Sequence, residues 1–337
     1  MREKIMERRK LGSTQLEVTE LGFGGAPLGN LYYAISNAES DAALQQVWDS
    51  GIRYFDTAPQ YGSGLSEHRL GHFLREQPRS EFVLSTKVGK LLTPTRNMAE
   101  PDEVWFVDPL PNAVHYDYSY DGIMRSIDHS LHRLGTSHID IAHFHDLDRI
   151  VLGDEFDKYF KQAMESGYRA LEELKQQGVI DAISLGVKQW QVCAEALEFG
   201  EFDCFMLQDS YTLLDFDALD FLNTCVEKNI SVLQAGPFSS GILVKGIVPG
   251  AKYNYSDAPP EIIARVEKLS ALCSEFNVPL PAAALQFPLR HQAIASVVTG
   301  MRKPEHVQQN VAWFNLDIPQ DFWDALKQQG LIPQGAY

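Results

Sequence analysis

Eight short runs rich in Val, Ile or Phe recur along this chain, each followed by a helix-length stretch or a long excursion. They lie at 19–25, 52–57, 82–89, 138–145, 180–187, 202–208, 230–236 and 294–300, with Gly, Asp and Pro as punctuation. The interleaved stretches carry helical spacing. In 124–135, Ile127, Leu131 and Leu134 fall on one face. Segments 162–178 and 261–276 read the same way, and 38–51 is a helix with Ser40 as its cap and Gly51 past its end. Such alternation defines an α/β protein, and eight units predict a (β/α)8 TIM barrel.

The 337 residues exceed the roughly 250 of a typical barrel, and the surplus has places to go. Residues 8–19 read as a hairpin closing the barrel bottom. Residues 90–118 and 237–258 are long loops after the third and seventh strands, and a terminal helix is expected near 319–329. Long loops at the ends where barrels place their active sites tend to serve function. A doubly wound sheet split over two domains is the competing architecture. No linker with a shift in composition supports it, so residues 1–337 are expected to be one barrel domain.

Composition narrows the function classes. A 45% hydrophobic share and 22% charged residues fit a folded globular chain, not a disordered or coiled-coil one. The net charge of -16 repels phosphate backbones and anionic bilayers, and no basic run offsets it. Neither nucleic acid nor membrane is therefore an expected partner; a small-molecule substrate is. Four cysteines without CxxC spacing suit a reducing compartment and core packing. The charged start MREKIMERRK has no apolar stretch behind it, and a cytoplasmic location is expected.

Barrel enzymes take their catalytic groups from the C-terminal ends of strands. The second strand ends at Asp56, with Tyr61 in the following DTAPQYG loop; the third ends at Lys87 and the fourth at His145. Adjacent strands lie about 4.8 Å apart, so these four groups converge within roughly 10 Å. Singly each has a bland explanation: a capping Asp, a packing Tyr, a snorkelling Lys, a core His. Four reactive types at three successive strand ends are harder to dismiss. A Lys ammonium beside a Tyr is expected to lower the phenol from its usual value of about 10. Asp56 would hold Lys87, and His145 would bond a substrate oxygen. The set suits proton transfer at an alcohol or carbonyl oxygen. Hydride chemistry there would require a bound nicotinamide.

The motifs RRKLGSTQLEVTELGFGGAPLG, FDTAPQYG with SEHRLG, STKVG, SLHRLGTSHIDIAHFHD and PAAALQFPLRHQAIASVVTGMRKPEHVQQN span nearly the whole chain. Together they resemble the aldo-keto reductases. The resemblance implies Tyr61 as general acid/base, Asp56 and Lys87 as its tuning pair, and His145 as the substrate-orienting group, with no metal. His143, two residues earlier on the same strand face, is read as a polar filler deeper in the barrel. The LGFGGAPLG segment is not GxGxxG, because Pro27 stands at the third glycine position, so a Rossmann reading fails. The resemblance implies instead an extended dinucleotide across the barrel mouth, near Gly24 and Gly25. Gln208 would meet the carboxamide and Phe238 would stack on the nicotinamide. Ser239, Gly241 and Leu243 would line the pyrophosphate. Gly300, Arg302, His306, Gln309 and Asn310 would hold the adenosine end, where Pro304 opens a helix.

Two departures stand out. Lys188 and Gln189 occupy positions where the family has Ser-Asn or Asn. Gln189 can replace an amide donor, while Lys188 adds charge that would favour a reduced ring, or else points outward. His306 replaces an Arg common in NADP-specific members, which leans the expected cofactor to NAD, with NADP as the alternative. Asn-X-Ser triplets at 229–231 and 254–256 are read as chance matches. The run at 115–135, with MLQDSYTLLD at 206–215, resembles the branch of aldose 1-dehydrogenases acting on L-fucose, L-galactose or D-arabinose, with pyridoxal 4-dehydrogenases as runner-up. Trp105, Phe106, His115 and Tyr116 are expected near the mouth, either stacking on substrate or anchoring their loop. The competing classes are a metal-dependent barrel hydrolase using Asp56 and His145, which lacks a third ligand, and a non-catalytic cofactor-binding sensor or regulatory subunit.

Overall fold

In the computed structural model, which describes residues 6–96, 105–254 and 256–337, each of the eight apolar runs forms a strand within its expected interval. The strands are Leu21–Gly24, Tyr54–Asp56, Val83–Val88, Ile139–His145, Ile180–Val187, Cys204–Gln208, Ser231–Ala235 and Ile294–Gly300. Each pairs in parallel with its neighbours in chain order, and the eighth pairs with the first, closing the barrel. This is the (β/α)8 architecture. Parallel strands buried on both faces must be apolar throughout, which is why they read as uninterrupted Val, Ile and Phe runs.

Inward-facing residues change character along the second to sixth strands. Toward the N-terminal ends Tyr54, Val83, Ile141, Ala182, Cys204 and Met206 pack into an apolar plug. Two residues further up each strand the same face carries Asp56, Ser85, His143, Ser184 and Gln208. The hairpin Arg8–Lys10/Glu17–Thr19 inserts Leu11 and Val18 beneath that plug, both fully buried. Burying a side chain of this size contributes about 1.5–3 kcal/mol. At Gly12, φ is +52°, and a Cβ would lie 2.3 Å from the Asp203 carbonyl oxygen, so the hairpin turn needs glycine to seat against the barrel.

The helices depart from expectation in two places. Asn37–Asp49 is capped by Ser36, not Ser40: Glu39 N–H donates to Ser36 Oγ and Ser36 N–H to the Glu39 carboxylate. Ser40 is buried inside the first turn. The stretch expected as one helix over 162–178 opens with a π turn, Ala163–Gly167, before Tyr168–Gln176. Gly167 packs there so closely that a Cβ would lie 2.3 Å from Tyr118 O.

The long excursions are more ordered than loops. After the third strand, Lys90–Pro94 pairs antiparallel with Asn112–Tyr116, a ribbon rather than a loop, with part of the span between them outside the described residues. The excursion after the seventh strand holds a short helix, Ile242–Lys245, and a two-residue pairing of Lys252–Tyr253 with Ser256–Asp257. Gln320–Gln328 is the terminal helix. All four cysteines are buried and unpaired. Among the described residues no helix is long and apolar enough to cross a membrane.

Candidate active site

Strand register brings the four expected groups together. Asp56 lies level with Ser85, Lys87 level with His143, and His145 level with Gly186. Each next strand thus carries its functional residue one inward layer higher, and the side chains close over one another at the mouth. Tyr61 is set from the loop. Its backbone abuts Gly29, where a Cβ would lie 2.5 Å from the Tyr61 carbonyl carbon. Arg69 staples the neighbouring loop by donating to the Leu28 and Ile35 carbonyls and to Asn30 Oδ1.

Lys87 Nζ donates to Asp56 Oδ2 at 2.5 Å and to Thr57 O at 2.9 Å, while Ser85 Oγ donates to Asp56 Oδ1 at 2.7 Å. Burial pulls Lys87 down, but Asp56 and Tyr61 outweigh it and hold the ammonium above its usual range. Lys87 Nζ also sits 4.7 Å from the centre of the Tyr61 ring. The expectation that Lys87 lowers the phenol needs correcting. Burial raises Tyr61, Lys87 opposes it, and Asp56 adds to the rise, so the net shift is upward. Desolvation of a phenolate exceeds what one ammonium, already shared with a carboxylate, returns.

The His145 ring meets Tyr61 edge-on, with centroids 5.9 Å apart. Burial, then the Lys90 and Lys87 charges, hold it well below the usual imidazole value against the opposing pull of Asp146, so it is neutral. His145 Nε2 lies 3.4 Å from Asp146 Oδ2. Beneath it, His143 is fully buried and also neutral, with Nδ1 2.7 Å from Ser184 Oγ and Nε2 3.8 Å from Asp56 Oδ1. That is the place of a polar filler. Sequence reasoning missed the support behind His145: buried Lys90 donates to Asp146 Oδ2 at 2.6 Å and to Gln60 Oε1. Asp146 has a left-handed backbone, φ 49°, immediately after the strand, and that signal is not visible in composition.

Of the loop aromatics, Phe106 stacks on Tyr61 with centroids 5.9 Å apart. Trp105 stacks instead on Tyr32, at 6.2 Å. Tyr116 packs against Tyr118 and Tyr159 and anchors the ribbon, and His115 is exposed. Of these four, Phe106 is the one stacked on Tyr61.

The residues expected around a dinucleotide ring the same mouth. Gly24 pairs with Gly300 and Gly25 N–H donates to Asp56 O at 2.7 Å. Gln208 ends the sixth strand. Phe238 and Ser239 begin the turn after the seventh strand, where Gly241 has φ +90° and the Leu243 side chain is buried. Gln189 Oε1 accepts from Ile150 N–H at 3.1 Å. Lys188 acts on three acidic side chains, Asp146, Asp148 and Asp209, and pulls each of them downward. At the far end Arg302 lies 3.9 Å over the Tyr33 ring and its shielded Nε has no partner among the described residues. Asn310 is buried and donates to Thr299 Oγ1, Gln309 is exposed, and the helix Pro304–Phe314 opens with its proline in the first turn. A left-handed turn, a helix start and orphaned polar atoms fit an elongated anionic dinucleotide.

Fold and strand-end tetrad together define a barrel oxidoreductase of the nicotinamide-dependent kind. The chain belongs to the aldo/keto reductase family, whose profile matches residues 20–330. It is 45% identical to a pyridoxal 4-dehydrogenase of Microbacterium luteolum, over 98% of this chain and 100% of that one. It is 38% identical to a D-threo-aldose 1-dehydrogenase of Pseudomonas sp, over 94% and 96%. Among solved structures, an aldo-keto reductase of Bacillus halodurans in its holo form superposes with a TM-score of 0.74 at 27% identity, covering 98% of this chain and 100% of that one.

Proposed function

We propose that the protein oxidises a cyclic hemiacetal, a free aldose at its anomeric carbon, to the lactone, with NAD as the cofactor. The observation that carries this reading is the Asp56–Lys87–Tyr61–His145 cluster, which offers one proton-transfer group and one neutral imidazole to a single oxygen. A bound nicotinamide dinucleotide supplies the hydride acceptor. Tyr61 first gives its own proton to solvent, and Lys87 stabilises the phenolate so formed. That phenolate takes the proton of the substrate hydroxyl as hydride leaves; in the reverse direction the phenol donates its proton to the carbonyl oxygen. His145, held neutral, bonds the same oxygen and orients it. Phe106 covers the outer face of Tyr61 and excludes water there. Burial and the Arg302 and Lys303 charges keep His306 below the usual imidazole value, so it brings no fixed charge to a 2′-phosphate, which supports NAD.

Pyridoxal is the second reading, favoured by the 45% identity to a pyridoxal 4-dehydrogenase. Its aldehyde and neighbouring hydroxymethyl group close to a hemiacetal, so the same atoms would react. Nicotinamide absorbance at neutral pH, with L-fucose, L-galactose, D-arabinose and pyridoxal as substrates, tests the proposal. Lactone from an aldose with the largest kcat/KM is the expected result. Turnover of pyridoxal alone overturns the aldose reading, and turnover of none of them overturns the hemiacetal class.

A further inference from the structure

The tetrad sits on the second, third and fourth strand ends. Across the mouth, Asp209 is a second carboxyl that proton transfer at Tyr61 does not use. It follows Gln208 at the end of the sixth strand with a left-handed backbone, φ 58°. Its N–H donates to Ala235 O at 3.1 Å, tying it to the end of the seventh strand. Its Oδ2 accepts from Gln208 Nε2 at 3.2 Å. Its Oδ1 is shielded from solvent and has no hydrogen-bond partner among the described residues. Gly236, two residues before Phe238, has φ +71°, and a Cβ there would lie 2.5 Å from Oδ1. Glycine at 236 thus makes room for the carboxyl between Gln208 and the turn that carries Phe238. A shielded acceptor in a strained backbone is costly to keep without a purpose.

We propose that Asp209 is the counter-charge for the oxidised, cationic nicotinamide ring and makes the protein bind oxidised dinucleotide in preference to reduced. The inference rests on the nicotinamide-dependent reading above and on Gln208 and Phe238 as the ring's neighbours. The titratable groups that act on Asp209 or feel it come from four loops: Lys188, Asp215, Tyr32 and Tyr253. Burial outweighs the Gln208 bond and the Lys188 charge and lifts the carboxyl to about 7. In the free protein it is therefore largely protonated at pH 6 and ionised at pH 8. A cation beside it favours the carboxylate, so binding the oxidised form expels a proton to solvent, whereas the neutral reduced ring expels none.

Calorimetric titration of the full-length protein with NAD and NADH, in buffers of different ionisation heat, tests this without turnover. NAD affinity is expected to tighten roughly tenfold from pH 6 to pH 8 with proton release at the acid end, while NADH affinity stays flat. Asp209→Asn keeps the shape and should abolish both the proton release and the pH dependence, lowering the NAD-to-NADH affinity ratio by about tenfold. Buffer-independent NAD binding by the wild-type protein overturns the proposal, and needs no variant to fold. An Asp209→Asn variant that releases the proton as before also overturns it. Failure of either dinucleotide to bind would instead refute the cofactor reading itself.

Discussion

Tyr61 keeps its proton more tightly than a free phenol does, because burial and Asp56 together exceed the pull of Lys87. Ultraviolet difference spectra between the wild-type protein and Tyr61→Phe should therefore show no Tyr61 phenolate below about pH 10. A phenolate signal at pH 8 would mean that Lys87 dominates after all. Lys90 acts one step removed, as a positioning residue behind His145. Lys90→Met leaves Asp146 without its buried cation, and such a broken pair costs about 3 kcal/mol. Urea unfolding should show that loss. kcat should fall while dinucleotide affinity is retained, because His145 loses the neighbour that fixes it. Unchanged stability would place Asp146 in water rather than in the pair. Asp209 and the Lys90–Asp146 pair were not legible in the sequence. Their roles come from an orphaned oxygen and left-handed backbones, which only strand register and loop packing create.

At the level of elements, the two ends of the barrel divide the work. At the N-terminal ends of the fourth and fifth strands, His138 Nε2 lies 2.8 Å from Asp181 and 3.6 Å from Asp140, and Arg79 donates to Asp140 at 2.6 Å. The Asp140 hydrogen bond leads the causes that push His138 up to about 9, against burial and with Asp181. A raised imidazole stabilises the fold fully below its unfolded value of about 6.5 and loses that contribution as pH rises through about 9. Thermal melts should accordingly drop by a few degrees between pH 6.5 and 9 in the wild-type protein and much less in His138→Gln. Parallel drops in both would show that His138 does not carry the loss. The strands were legible because both of their faces are buried, so nothing polar interrupts them. The pairing of Lys90–Pro94 with Asn112–Tyr116 was not, since the Pro-, Asn- and Asp-rich sequence around it signals turns while the pairing is long-range. Ser36 with Glu39 carries the S-x-x-E capping signature, and it is that pair, not Ser40, that marks the helix start. The π turn answers to Gly167 against Tyr118, a tertiary contact with no local pattern.

Over the whole molecule, one barrel has an apolar lower half and a polar upper rim, and on the second to sixth strands the change occurs within two residues. Tyr54 gives way to Asp56, Val83 to Ser85 and Lys87, and Ile141 to His143 and His145. This gradient is why the tetrad could be read from strand ends alone. The net charge of -16 surrounds a mouth expected to take an anionic dinucleotide, so binding should weaken as salt is lowered. Titrating NAD from 20 to 200 mM salt checks this, and an affinity that falls as salt rises would show that local cations such as Arg302 and Lys303 dominate the field. On the proposed mechanism Tyr61 moves the proton. This is tested most directly by rapid mixing of Tyr61→Phe with NAD and an aldose that the wild-type protein oxidises, alongside NAD affinity by fluorescence. The expected result is a hydride-transfer rate at least about a hundredfold below wild type with NAD affinity unchanged. A rate near wild type would contradict it.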